Sequence, residues 1–160
     1  MLIISIIFLI FLFVSTSSNS FDFSSKYIYP TTYTSISSYY GNRELYGKNN
    51  FHTGIDFLAP VNSEVFASAS GYIEFASFSN DGYGNTIIIA HNNGVKSLYS
   101  HLSESFIVKV GQYVSSGEII GYVGPKYLSN GILNGNTTGP HLHFSIFVDG
   151  ITINPLEFLK

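Results

Sequence analysis

Between residues 64 and 148 the chain is written as short β-rich runs punctuated by glycines: EVFASAS, YIEFASFS, NTIIIAH, VKSLYSH, EIIGYVG and LHFSIFV. In these runs apolar residues alternate with small or polar ones, and Val, Ile, Tyr and Phe dominate. That is the pattern of strands half buried on one face. No stretch carries the spacing of a long amphipathic helix. Strands separated by turn residues at such close intervals predict an all-β sandwich or barrel.

The 160 residues suffice for one ordinary domain, and neither an internal repeat nor a second domain is visible. The chain opens MLIISIIFLIFLFVSTSSNS, in which Leu2 to Val14 is apolar apart from Ser5. A bilayer span needs roughly 20 apolar residues, so this stretch is short for one and suits the core of a secretory signal. Residues 1–20 are therefore expected to be a signal peptide, with an N-terminal membrane anchor as the alternative, although no Lys or Arg precedes the apolar run. Either way the rest of the chain is expected to be exported, to the periplasm, the cell envelope or the extracellular space. Residues 21–38, FDFSSKYIYPTTYTSISS, read as an extended lead-in that packs late or only partly, and residues 39–160 as the functional domain.

Composition narrows the chemistry. The seven Lys and Arg residues are scattered singly and the net charge is -3, which argues against nucleic acid as a partner. With no cysteine, disulfides, thiolate metal sites and Cys nucleophiles are excluded, so any metal must be held by His, Asp or Glu.

Two of the five histidines stand one residue apart in GNTTGPHLHFS, residues 135–145. On a strand, alternation puts His141, His143, Ser145 and Phe147 on one face and the apolar Leu142, Phe144, Ile146 and Val148 on the other. The second set reads as core, so both imidazoles point together toward a groove or the surface. In FHTGIDFLAP, residues 51–60, His52 and Asp56 offer a nitrogen and an oxygen donor of the kind zinc accepts, and Gly54 is expected to let the backbone turn between them. In SLYSHL, alternation groups His101 with Tyr99 and Ser97 on the more polar side of a strand. His91, at the end of IIIAH before an Asn-Asn-Gly turn, reads as structural. Taken together, three donors would leave a zinc ion a fourth position for water, and two further histidines are available for protons.

H-T-G-I-D at 52–56, Y-S-H-L at 99–102 and G-P-H-L-H-F at 139–144 resemble, in order and nearly letter for letter, the lysostaphin/LytM-type zinc metallopeptidases, which cut peptide bonds in peptidoglycan. The similarity runs on through E-V-F-A, V-G-Q-Y-V-S-S-G-E-I-I-G and N-P-L-E-F-L, over about residues 39–159. The resemblance implies His52, Asp56 and His143 as ligands of one zinc ion, with His101 and His141 as the catalytic pair. It implies two antiparallel sheets forming a sandwich with an open groove, with a core like that of barrel-sandwich hybrids. It further implies a peptidoglycan peptide as substrate; a monomer is expected. Because some relatives have lost their metal ligands, a non-enzymatic regulator of cell-wall amidases is the alternative, as is a wall-binding module. Two departures stand out. Ser145 occupies a place where many relatives carry Glu, and GPKYLSNGILNGNT, residues 124–137, is longer than the usual turn and is expected to wall the groove and affect substrate choice.

Overall fold

The computed structural model describes residues 27–160. Residues 1–20, read as signal or anchor, and residues 21–26 of the lead-in lie outside the described residues. Twelve strands follow in order: β1 (Ser35–Ser38), β2 (Gly41–Leu45), β3 (Lys48–His52), β4 (Ile55–Leu58), β5 (Glu64–Phe66), β6 (Gly71–Ser79), β7 (Gly84–Ala90), β8 (Val95–Ser100), β9 (Tyr113–Val114), β10 (Ile119–Tyr122), β11 (Leu142–Val148) and β12 (Ile151–Ile153). Pro155–Glu157 add one 3-10 turn, and the described residues hold no α-helix.

Every strand pairing is antiparallel. One large sheet runs β1-β4-β11-β8-β7-β6-β9, with β12 beside β11, and two ribbons, β2–β3 and β5–β10, complete the fold. The all-β sandwich expected from the sequence is the fold found. Strand β11 is its organiser. It pairs with β8 along its length, with β4 over Leu142–Phe144 and with β12 over Ile146–Val148.

Alternation along β11 has the predicted consequence. Leu142, Phe144 and Ile146 are wholly buried in the core, together with Ile55 and Phe57 of β4, Ile87 and Ile89 of β7 and Tyr99 of β8. Val65 of β5 and Ile120 of β10 belong to the same cluster, so the β5–β10 ribbon covers the inner face of the large sheet. Each such side chain contributes about 1.5–3 kcal/mol through its burial. The opposite face of β11 is left to His143 and Ser145.

Residues 27–38 pack more fully than their Ser- and Tyr-rich composition suggests. Tyr27 is a core residue, its ring set edge-on to those of Phe158 and His91. The Lys160 amide donates to the Tyr27 carbonyl and the Phe66 amide to that of Pro30. Strand β1 then pairs with β4.

Candidate active site

The floor of the site is built by strand register. His143 of β11 lies directly opposite Asp56 of β4, so their side chains share a face. His52, the last residue of β3, is brought to the same point by the corner at Thr53–Gly54. His52 Nε2 stands 3.0 Å from His143 Nδ1. Asp56 Oδ1 is 2.8 Å from His143 Nδ1 and 3.1 Å from His52 Nε2. All three residues are buried.

The outer nitrogen of each ring is committed elsewhere. His52 Nδ1 donates to the Tyr39 carbonyl at 2.9 Å, and His143 Nε2 and Ser145 Oγ are hydrogen-bonded at 2.9 Å. A carbonyl can only accept, so neutral His52 carries its proton on Nδ1 and presents the Nε2 lone pair to the cluster, while the Ser145 hydroxyl orients the His143 ring with Nδ1 toward Asp56. Burial opposes ionisation of Asp56, but hydrogen bonds from His143 and His52, formed when their facing nitrogens carry protons, outweigh it and hold the carboxyl well below the usual carboxylate range. Burial likewise depresses the His143 imidazole. Two imidazole lone pairs and a carboxylate oxygen packed this closely repel one another unless a cation or shared protons lie among them. The donor set therefore fits a zinc ion.

The other two predicted histidines stand beside this triad. The rings of His101 and His141 are 4.7 Å apart. His141 Nδ1 donates to the Gly139 carbonyl at 2.8 Å, and His101 Nδ1 donates to the Asn134 carbonyl at 2.7 Å. A carbonyl can only accept, so both rings carry their proton on Nδ1 when neutral and keep Nε2 as a base. Burial pushes His101 down to about 3, with the His141 and His143 rings adding to the effect. His141 Nε2 comes within 3.6 Å of Asp56 Oδ1. All five residues line one open groove of about 900 Å³. Leu45 and Tyr46 of the β2–β3 ribbon line it too, as do Tyr83, Leu133 and Asn136.

Two local expectations need correcting. Gly54 is not required for a left-handed turn, since it is absent from the glycines with positive φ. It is required for space: a Cβ there would sit 2.3 Å from the Phe144 carbonyl oxygen, 2.6 Å from Ser145 Oγ and 2.8 Å from His143 Cε1. Alternation also misassigned the SLYSHL stretch. Tyr99, opposite Phe144, belongs to the core face, whereas Ser100, opposite His143, shares the site's face. His101 reaches the groove because its φ of 59° ends the alternation.

His91 lies in the structural network expected of it, its Nδ1 donating to the Ser70 carbonyl and its Nε2 2.8 Å from Ser97 Oγ. Sequence reasoning passed over two residues. Arg43 sets Nη1 3.5 Å from Asp56 Oδ2 and donates to Ser38 Oγ, but in YYGNRELYGKNN it is only a lone cation in a polar hairpin. Asn134, whose carbonyl orients His101, is one of several asparagines in a loop and carries no signal of its own.

An antiparallel β domain whose groove holds a buried His-Asp-His cluster and two neighbouring free imidazole nitrogens has the makeup of a metal-dependent hydrolase. The model of peptidase family M23 matches residues 50–155, and the chain belongs to that family. It is 43% identical over 132 residues to the DD-carboxypeptidase/endopeptidase Mpg of Neisseria meningitidis serogroup B, covering 81% of this chain and 28% of that protein. It is 35% identical over 129 residues to the peptidoglycan DD-endopeptidase ShyC of Vibrio cholerae, covering 79% of this chain and 28% of the relative. The chain thus spans little more than a quarter of the length of these relatives. Among solved structures, it is similar to the catalytic domain of lysostaphin from Staphylococcus simulans, with a TM-score of 0.66, 36% identity and coverage of 78% of this chain and 90% of that one.

Proposed function

We propose that this protein is an exported zinc metalloendopeptidase that hydrolyses peptide bonds in the stems or cross-bridges of peptidoglycan. The observation that carries the reading is the convergence of His52, Asp56 and His143 on the floor of an open groove, beside two imidazoles with free Nε2 atoms. The names of the relatives support the substrate class. The apolar run from Leu2 to Val14 supports export.

His52 Nε2, Asp56 Oδ1 and His143 Nδ1 would hold the zinc, which as a Lewis acid polarises the scissile carbonyl and activates a water. His101 and His141 act from Nε2: one takes the proton from the attacking water, and the other hydrogen-bonds the developing oxyanion or protonates the leaving amine. Neutral rings are needed for the first role, and burial keeps His101 in that form. The open groove, lined by residues of the β2–β3 ribbon and by Tyr83, Leu133 and Asn136, suits an extended peptide.

A non-enzymatic regulator would be expected to have lost ligand positions, and none is lost here. A closed structural zinc site would want four protein ligands, and the cluster has three. The test is release of new amino groups from purified peptidoglycan, with and without a chelator. The wild type should release them only without chelator and should carry one zinc per chain. His52→Ala should lose the metal, while His101→Ala and His141→Ala should keep it and lose hydrolysis. Full hydrolysis by both of these last variants would refute the proton-transfer roles.

A further inference from the structure

Strand alternation should carry His101 away from the groove. Ser100 lies opposite His143 on the site's face, and Tyr99 lies opposite Phe144 in the core. One more extended residue would place His101 on the Tyr99 side. The left-handed backbone at His101, φ 59°, turns the imidazole into the groove instead. For a residue with a Cβ this conformation costs about 1–2 kcal/mol, and it persists only where the surroundings over-determine it.

The surroundings converge on one side chain. Asn134 is wholly buried at the base of the long loop. Its Oδ1 accepts from the Asn85 amide at 2.9 Å, and its Nδ2 donates to the carbonyls of Leu102 at 3.0 Å and Pro125 at 3.2 Å. Its own carbonyl is the acceptor for His101 Nδ1. The backbone on both sides of His101 is tied to the same region: the His101 amide donates to Tyr83 O, the Leu102 amide to Asn85 O, and the Gly124 amide to His101 O. Close approach requires glycines around the carboxamide. A Cβ on Gly84 would meet Asn134 Oδ1 at 2.4 Å, and one on Gly124 would meet Asn134 Nδ2 at 2.7 Å.

We infer that Asn134 is a positioning residue for the reaction: its carboxamide clamps the left-handed turn at His101, and its carbonyl holds the ring as the Nδ1–H tautomer with Nε2 presented to the groove. The inference rests on the peptidase reading for the role of His101, but not for the geometry. It also divides the loop. Pro125 to Leu133 form a projection closed by the Tyr127–Leu133 bridge, whereas Asn134 at its base belongs to the machinery of His101. Only a short carboxamide serves there. Asp would lack both donors and set a charge against two carbonyl oxygens. Ala would leave a buried amide and two buried carbonyls without this partner.

The test uses the full chain loaded with zinc, labelled with 15N-histidine, and soluble muropeptide dimers as substrate. The wild type should show His101 as Nδ1–H in long-range proton–nitrogen spectra. Asn134→Ala and Asn134→Asp should move His101 toward the Nε2–H form and lower kcat about 10- to 100-fold, with KM and zinc content unchanged. Ile132→Ser, on the exposed part of the loop, should leave the His101 tautomer unchanged. A wild-type His101 found as Nε2–H overturns the inference even if neither Asn134 variant folds. So does a folded variant with unchanged tautomer and kcat. A wild type that leaves the dimers intact overturns the peptidase reading, and the tautomer then still decides the clamp.

Discussion

Adding a single methyl group at Gly54 separates two accounts of that glycine by the sign of the effect. If Gly54 only eases a turn, Gly54→Ala should be neutral or should stabilise by about 0.4–1 kcal/mol, because the backbone there is not left-handed and the unfolded chain loses freedom. The contacts say otherwise. The new Cβ would lie 2.3 Å from a backbone oxygen of β11, which cannot retreat without disturbing the pairing of His143 with Asp56 and of Leu142 with Phe57. It would also press on Ser145 Oγ and on His143 Cε1, the ring carbon beside the Nε2 that bonds this hydroxyl. Overpacking against a rigid neighbour costs about 1–3 kcal/mol, and leaving the buried His143 Nε2 without its partner adds about 1–3 kcal/mol. The sum, roughly 2–6 kcal/mol of lost stability, should appear as a lower urea midpoint with an unchanged slope. Zinc retention should fall in the same variant, read by competition with a chromophoric chelator. A Gly54→Ala protein as stable as the wild type, with wild-type zinc affinity, would refute the close-approach argument.

Ser145→Ala should isolate the hydrogen bond from the steric effect. Nothing enlarges, yet His143 loses its outer partner, and zinc affinity should drop about 10- to 100-fold with the fold intact. Unchanged affinity would show that the hydroxyl does not orient the ligand. Phe144→Ala, at the centre of the core against Tyr99 and Phe57, should cost about 3–5 kcal/mol in a denaturation curve. Stability should also fall in mild acid. Burial holds His91 and His101 below the ordinary histidine value, so the folded state refuses protons that the unfolded chain accepts below about pH 6.5. Their contribution is complete above that pH and declines as pH falls toward the His101 value of about 3. The slope approaches about 1.4 kcal/mol per pH unit for each such histidine. Equal urea midpoints at pH 7.5 and 5 would contradict this.

The local pattern of residues was enough to set the class of fold and half of the site. Alternation in LHFSIFV requires Leu142, Phe144 and Ile146 to share a face and His143 to take the other, whatever the rest of the chain does, because the side-chain period of a strand is two. The ordered motifs around His52, Asp56, His101, His141 and His143 singled out the residues that meet in the groove. What alternation could not supply was any feature made by chains crossing. Gly54 is dictated by the nearness of β11, and that distance is a property of strand pairing. His101 faces the groove against its own parity because Tyr83, Asn85, Gly124 and Asn134, far apart along the chain, fix a left-handed residue. Arg43 meets Asp56 only once the β2–β3 ribbon folds back over the sheet. Periodicity and residue chemistry are local and can be read one segment at a time. Close approach, backbone strain and the choice of tautomer depend on which atoms arrive from elsewhere, and only the assembled fold decides them.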